Sequence, residues 1–327
     1  MTKKQKLIVI LGPTASGKSD LAVKIARKFN GEVVSADSRQ VYKGLDIGTG
    51  KIIKGEMRGV KHHLLDVANP ALRLSSGQAK RFSASDFIDL TNKTIVQIVN
   101  VGKVPIICGG TGFYIDALLG DKQIPEVPPN EKLRKELEKK STEELFKILK
   151  KLDPERANNI DAKNPRRLMR AIEICKVLGR VPKFESRTQN LESRKYRVLK
   201  IGISIEEKEL KERINKRIEK WFKQGLLKEV SNLHKKGLSW KRMSEIGLEY
   251  KLVANFLKSN KVSKAPFDTL QLKKKMGEKT WQYAKRQMTW FKRDKNIRWF
   301  TPSKVKGALP SQISKIEKEV RKFLKFS

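Results

Sequence analysis

The run Leu7-Ile-Val-Ile-Leu11, passing directly into Gly12-Pro-Thr-Ala-Ser-Gly-Lys-Ser19, decides the reading of this chain. The second half fits the pattern G-x-x-x-x-G-K-[ST], in which glycines let backbone N–H groups close around phosphate oxygens at a helix N-terminus. The context the pattern needs lies on both sides. Lys6 to Leu11 reads as a strand, and Leu21, Ala22, Ile25, Ala26 and Phe29 recur at helical spacing after the loop. The loop Gly12, Pro13, Thr14, Ala15, Ser16, Gly17, Lys18 and Ser19 is therefore expected to hold a diphosphate. Lys18 would neutralise it, and Ser19 would help hold Mg²⁺.

Further strand-like runs are Glu32 to Ala36, Val104 to Cys108 and Tyr196 to Ser204, separated by helical patterns. This alternation predicts an α/β fold, a P-loop NTPase-like parallel sheet flanked by helices. Ligands of such sheets bind beyond the carboxyl ends of the strands, where Gly12, Asp37 and Gly109-Gly110-Thr111 all fall. Between about Gly120 and Gln189 the pattern changes to charged helical segments after Pro125, Pro128 and Pro129, which predicts an all-helical insertion. Within it Asn164-Pro165 reads as an N-cap followed by proline at the first helical position, with Gly179 closing the helix. The expected organisation is a core (1–123), an insertion (124–189) and a return to the core (190–327). Ser204 and Glu207 read as a capping box for the next long helix, on which Arg213 and Arg217 share a face. Trp281, Tyr283, Trp290 and Phe291 recur among basic residues, and core packing is favoured for them over a base-stacking surface.

Lys and Arg total 73 against 35 Asp and Glu, a formal charge of +38. Such an excess points to a polyanionic partner, although a lysine-rich solvated surface accounts for part of it. Cys108 and Cys175 have no partner at short spacing, and His62, His63 and His234 form no ligand pattern. No apolar run approaches the roughly 18 residues of a membrane span, and the run before the Gly-rich loop is too short for a secretory leader, so a cytoplasmic protein is expected. A kinase with this loop usually has a second acidic residue at a strand end to organise Mg²⁺. Here the Val104 to Cys108 run ends in Gly109-Gly110-Thr111, leaving only Asp66 after a short apolar pair. The loop thus reads as a diphosphate holder whose chemistry is not obviously γ-phosphoryl transfer.

Asp37-Ser-Arg-Gln-Val-Tyr42, Gly44-Leu-Asp-Ile-Gly-Thr49, Gly59-Val-Lys-His-His-Leu-Leu-Asp66, Phe82-Ser-Ala-Ser-Asp-Phe87 and Gly109-Gly-Thr-Gly-Phe-Tyr114, in that order, resemble the bacterial tRNA dimethylallyltransferases. The likeness continues through Leu152-Asp-Pro, Asn164-Pro-Arg-Arg-Leu-Met-Arg-Ala171, Glu212-Arg-Ile-Asn-Lys-Arg217 and Lys285-Arg-Gln-Met-Thr-Trp290. The resemblance implies transfer of the dimethylallyl group of dimethylallyl diphosphate to N6 of adenosine 37 in the tRNA anticodon loop, with diphosphate released. It implies Asp37 as the base that orients and deprotonates the exocyclic amine, Thr111 as a contact to the target nucleotide and Arg217 as a contact to the diphosphate. It also implies tRNA contacts from Asp37, Ser38, Arg39, Gln40, Thr111, Arg134, Arg166, Arg167, Leu168, Met169 and Arg170. Mg²⁺ is the cofactor expected from the loop, and no obligate protein partner is evident, so a monomer is expected. The adenine must leave its stack to reach such a base, which suits recognition of a single-stranded loop.

Three places differ from the family pattern. Arg166 stands where Gln is usual, implying a phosphate contact in place of a base contact. Lys61 stands where Pro often precedes the two histidines, and Ile246-Gly-Leu-Glu-Tyr250 replaces the usual Gly-Tyr-[Lys/Arg]-[Glu/Gln]. Three other readings remain: a prenyltransferase acting on free adenine nucleotide, which shares the loop and the aspartate and has no need of the basic insertion; a small-molecule kinase with the same α/β core; and a non-catalytic RNA-binding protein on a retained fold, against which the intact base and loop argue.

Overall fold

Strands with apolar residues at successive positions need cover on both faces, and the chain supplies it with helices drawn from distant parts of the sequence. The computed structural model describes residues 4–71, 82–121, 124–182, 195–260, 268–301 and 308–325. Its sheet has six parallel strands in the order β3-β2-β4-β1-β5-β6: β1 Gln5–Leu11, β2 Gly31–Ser35, β3 His62–His63, β4 Val104–Gly109, β5 Tyr196–Ile203 and β6 Arg298–Phe300. β1 lies at the centre, with Leu11 paired to Gly109 on one side and Gly202 on the other. The expected parallel α/β fold is borne out. The four long strands were legible as apolar runs; β3 and β6 are too short to carry a period.

Alternation along β1 divides its side chains between two cores. Leu7, Val9 and Leu11 meet Phe87, Ile95 and Ile98 of α3 (Ala84–Asn100) and Tyr114 and Ile115 of α4 (Gly112–Leu118). Ile8 and Ile10 meet Leu21, Ala22 and Ile25 of α1 (Lys18–Lys28), together with Ile316 and Val320 of the last helix. A third core joins α9 (Glu207–Lys223), α10 (Leu226–Lys235), α11 (Trp240–Ile246), α12 (Leu248–Asn260) and α13 (Thr269–Phe291) to Val41, Tyr42 and Leu45. Phe291 is buried and Trp290 packs partly against a core, which agrees with the core reading of these aromatics.

The capping box expected at Ser204 and Glu207 is not formed. Glu206 is the N-cap and makes no side-chain capping bond, because Ser204 is taken by the neighbouring strand: its N–H donates to Phe300 O, and its hydroxyl pairs with Thr301 Oγ1 at 2.7 Å.

The chain divides into two units, Met1–Leu119 with Ser193–Ser327, and Gly120–Glu192. The second unit, among the described residues, is helical: α5 Glu131–Leu137, α6 Thr142–Leu152, α7 Pro154–Asn158 and α8 Pro165–Leu178. Leu133, Leu137, Leu145, Leu149, Leu168, Ala171 and Ile172 form its own core. Asn164 caps α8 by accepting from Arg167 N, Pro165 follows, and Gly179 ends the helix at φ +78°. The limits expected at 123/124 and 189/190 fall at or beside residues outside the description.

Candidate active site

The Gly-rich loop turns between β1 and α1 as a cradle. Gly17, the N-cap of α1, has φ +88°, a conformation that a residue with a Cβ rarely adopts, and supplies no side-chain cap. The first-turn N–H groups are thus left for an anion. Ser16 Oγ is buried, with the residue only 2% exposed, and has no hydrogen-bond partner among the described residues. A buried hydroxyl of this kind is ready for a phosphate oxygen. Lys18 Nζ donates to Pro13 O at 3.1 Å, folding back over the loop.

α9 brings two arginines to the same loop. Arg217 Nη1 donates to Thr14 Oγ1 at 3.2 Å, and Arg213 Nη1 donates to Ser16 O at 3.1 Å while its other nitrogens hold Glu209. Sequence reasoning placed Arg213 on the face of Arg217 without giving it this task. Burial holds the pKa values of Lys18 and Arg217 below their ordinary values, and Asp37 acts on both in the opposite sense. Lys18, Arg217 and Asp37 therefore share one electrostatic neighbourhood, in which a polyanion would compensate the buried positive charge. A cavity of about 300 Å³ opens beside Arg217, with Ile47, Gly50, Ile53, Lys216 and Trp221 in its walls.

The acceptor side is built where β2 and β4 end together. At Gly109 an added Cβ would lie 2.1 Å from Ala36 O, so only glycine permits this approach. Thr111 N donates to Ala36 O at 3.3 Å, and Ser38 N donates to Thr111 Oγ1 at 3.1 Å. Asp37 Oδ1 accepts from Arg39 N at 2.9 Å and Gln40 N at 3.4 Å, tying down the turn that follows. Among the described residues its Oδ2 carries no hydrogen bond. One carboxylate oxygen thus fixes the backbone while the other stays available.

Several side chains expected to touch tRNA have internal partners. Arg39 Nη1 pairs with Glu249 Oε2 at 2.5 Å and lies 4.9 Å from the Tyr283 ring centroid. Burial acts to lower its pKa, and Glu249, then Tyr283 and Asp37, outweigh it, so the pKa ends above its ordinary value. Gln40 Nε2 donates to Thr49 O and Gly50 O, and its Oε1 accepts from Ser35 Oγ. Leu168 is fully buried in the core of the helical unit, so its side chain, at an apolar helix position facing that core, has no surface to offer. Arg134 makes a two-pronged pair with Glu173 at 2.7 and 2.9 Å, and Arg170 adds a third bond at 3.2 Å. Met169 packs partly against the same core, whereas Arg166 and Arg167 are exposed.

For a cation the donors are few. Asp66, the sequence alternative, is engaged by Lys51, which also binds Asp46. No group of three or more His, Cys, Asp or Glu is assembled for a metal among the described residues. Ser19 stands in the first turn of α1, close to Cys108, whose thiol pKa burial pushes up to about 11. A hydroxyl beside a diphosphate cradle suits Mg²⁺, which keeps several waters and takes most of its remaining ligands from phosphate oxygens.

Three further side chains have polar partners at the site that the sequence did not reveal. Glu229 accepts from the N–H groups of Asp46, Ile47 and Gly48 and from Tyr250 Oη, fixing the loop that ends against Arg217. Gln287 accepts from Thr14 N and donates to Gly110 O, each at 2.8 Å. Trp290 Nε1 donates to Asp116 Oδ2 at 2.9 Å. Gln287 and Trp290 lie in the quoted Lys285–Trp290 motif, but a helical period says only that they share a face, not what that face meets.

Residues 40–294 match the family described as IPP transferase. The chain is 37% identical over 301 residues to a tRNA dimethylallyltransferase of Anoxybacillus flavithermus, covering 90% of both chains. It is 37% identical over 322 residues to one of Halothermothrix orenii, covering 97% of this chain and 93% of that one. Among solved structures it resembles the tRNA isopentenylpyrophosphate transferase of Bacillus halodurans, with a TM-score of 0.70, 33% identity, and coverage of 98% and 97%. A eukaryotic dimethylallyltransferase acting on tRNA shares the fold, with a TM-score of 0.76 at 22% identity, covering 98% of this chain and 79% of its own.

Proposed function

The chain belongs to the IPP transferase family, and from that premise we infer that it is an enzyme transferring a dimethylallyl group to tRNA. The donor in this reading is dimethylallyl diphosphate and the acceptor is N6 of adenosine 37 in the anticodon loop. The observation that carries it is the junction of two half-sites: an anion cradle with a buried, unpartnered Ser16 hydroxyl, and a carboxylate at Asp37 with one oxygen free, at the ends of strands of one sheet.

An allylic C–O bond breaks with positive character at carbon while negative charge gathers on the departing diphosphate. The loop N–H groups, Ser16, Lys18 and Arg217 stabilise that charge from fixed positions, and each such donor contributes about 3 to 4 kcal/mol to lowering the barrier. The exocyclic amine of adenine is a weak nucleophile that becomes acidic as it attacks. Asp37 Oδ2 orients it and accepts its proton, and Thr111, held against Ser38, lines the nucleotide's place. Ser19 would hold Mg²⁺ against the diphosphate, where the ion supplies charge neutralisation to the leaving group. Arg166 and Arg167, exposed at the start of α8, engage tRNA phosphates, and the net charge of +38 favours this partner over free adenine nucleotide. Among the described residues no helix is long and apolar enough to cross a membrane, which supports a cytoplasmic enzyme, and we take it to act as a monomer.

The test is incubation of the protein with Mg²⁺, labelled dimethylallyl diphosphate and a tRNA bearing adenosine at position 37, beside the same tRNA bearing guanosine there. Label should enter only the first. Equal labelling of both would sink the assignment of N6.

A further inference from the structure

We propose that Gln287 is a positioning residue that sets the distance between donor and acceptor; the proposal rests on the reading just given. The P-loop follows β1 and the Thr111 loop follows β4, and although these strands pair, their loops are separate segments with separate ligands in that reading. Gln287, on the last turns of α13, joins them. Its Oε1 accepts the Thr14 N–H and its Nε2 donates to Gly110 O, both at 2.8 Å, with the residue 7% exposed.

A primary amide answers both groups at once, since one needs an acceptor and the other a donor; a carboxylate lacks the donor and an apolar chain lacks both. The fit leaves no slack: a Cβ at Gly110 would lie 2.3 Å from Gln287 Nε2. Trp290, one turn further on, closes on the same segment, lying 2.3 Å from where a Cβ on Gly112 would stand. Thr14 becomes a node, with its N–H held by Gln287 and its hydroxyl by Arg217. Its N–H is therefore an anchor and not a phosphate ligand. Gln287 acts through Thr14 and Gly110, fixing the reacting carbon relative to the amine that Thr111 and Asp37 present.

Loss of that register leaves the donor free to ionise without an acceptor in line. The C–O bond then breaks and water takes the allylic carbon, giving diphosphate, dimethylallyl alcohol and a proton. The ratio of diphosphate released to tRNA prenylated reads this directly, and it does not depend on how much of a preparation is folded. We expect one to one for the wild type. Q287M, nearly isosteric, should release about threefold or more diphosphate per prenylated tRNA and lose about tenfold or more in kcat. Q287E keeps the acceptor for Thr14 N–H and should fall between the two. A ratio of one for both variants, whatever their rates or melting temperatures, overturns the positioning role while leaving the function intact. A wild-type chain that prenylates no tRNA overturns both.

Discussion

Replacing Asp37 by Asn separates the two tasks of its carboxylate. Oδ1 accepts from the N–H groups of Arg39 and Gln40, and an amide oxygen can keep both bonds. Oδ2 has no internal hydrogen-bond partner among the described residues, and there Asn replaces a proton acceptor with an NH₂ donor. D37N should therefore fold with unchanged stability yet lose the base. General-base assistance contributes about 10²- to 10⁴-fold, equivalent to about 2.7 to 5.4 kcal/mol in the barrier, so kcat should fall by that factor with the KM for dimethylallyl diphosphate nearly constant. D37A loses the two backbone hydrogen bonds as well. That costs about 1 kcal/mol, or about 1.5 °C in Tm for a chain of this length, on top of the same loss of rate. Single-turnover prenylation of tRNA beside a thermal melt of each variant checks both numbers. D37N retaining more than about a tenth of the wild-type rate would refute proton transfer to Asp37. D37N melting as low as D37A would refute the division of labour between the oxygens.

Three other outcomes follow from the same geometry. R217A should lower kcat/KM for the donor by about 10²- to 10³-fold, and R217K should recover little, because an ammonium cannot span Thr14 Oγ1 and a phosphate as the planar fork does; steady-state kinetics with varied donor decides it. Replacing Arg166 and Arg167 together by Ala should flatten the plot of log K for tRNA against log salt by about 1.4 to 1.8, measured by filter binding, and an unchanged slope would remove them from the interface. Glu32 is opposed by burial, but Lys103 and His63 outweigh it and hold its pKa below the usual carboxylate range. A depressed folded pKa contributes stability above the unfolded value, and that contribution is lost as pH falls through the folded one. The wild type should therefore lose more unfolding free energy than E32Q between pH 5 and pH 3 in urea melts, and parallel losses would exclude the effect.

How much was legible in advance varied with the range of the interaction. Asn164, Pro165 and Gly179 marked α8 correctly because a cap and a stop are settled within a few residues. Ser204 failed as a cap for the opposite reason, since its hydroxyl and N–H are claimed by a segment nearly a hundred residues away. Leu168 was read by its place in a motif, whereas its apolar period already put it in the core. Arg39 was read as a cation for RNA, and its pairing with Glu249, in the stretch that departs from the family pattern, lies beyond any local pattern.

The chain's order of residues alone determined the Gly-rich cradle, the four long parallel strands, the helical unit and the kinship with prenyl-transferring relatives. Each of these depends on local spacing, periodicity or motif order. Tertiary structure decided which oxygen of Asp37 is free, that Arg213 and Gln287 brace the loop that Lys18 and Arg217 serve, and that Ser16 is left without a partner. The bracing depends on segments more than a hundred residues apart meeting within hydrogen-bond distance, and no local pattern encodes which buried donor will find which acceptor.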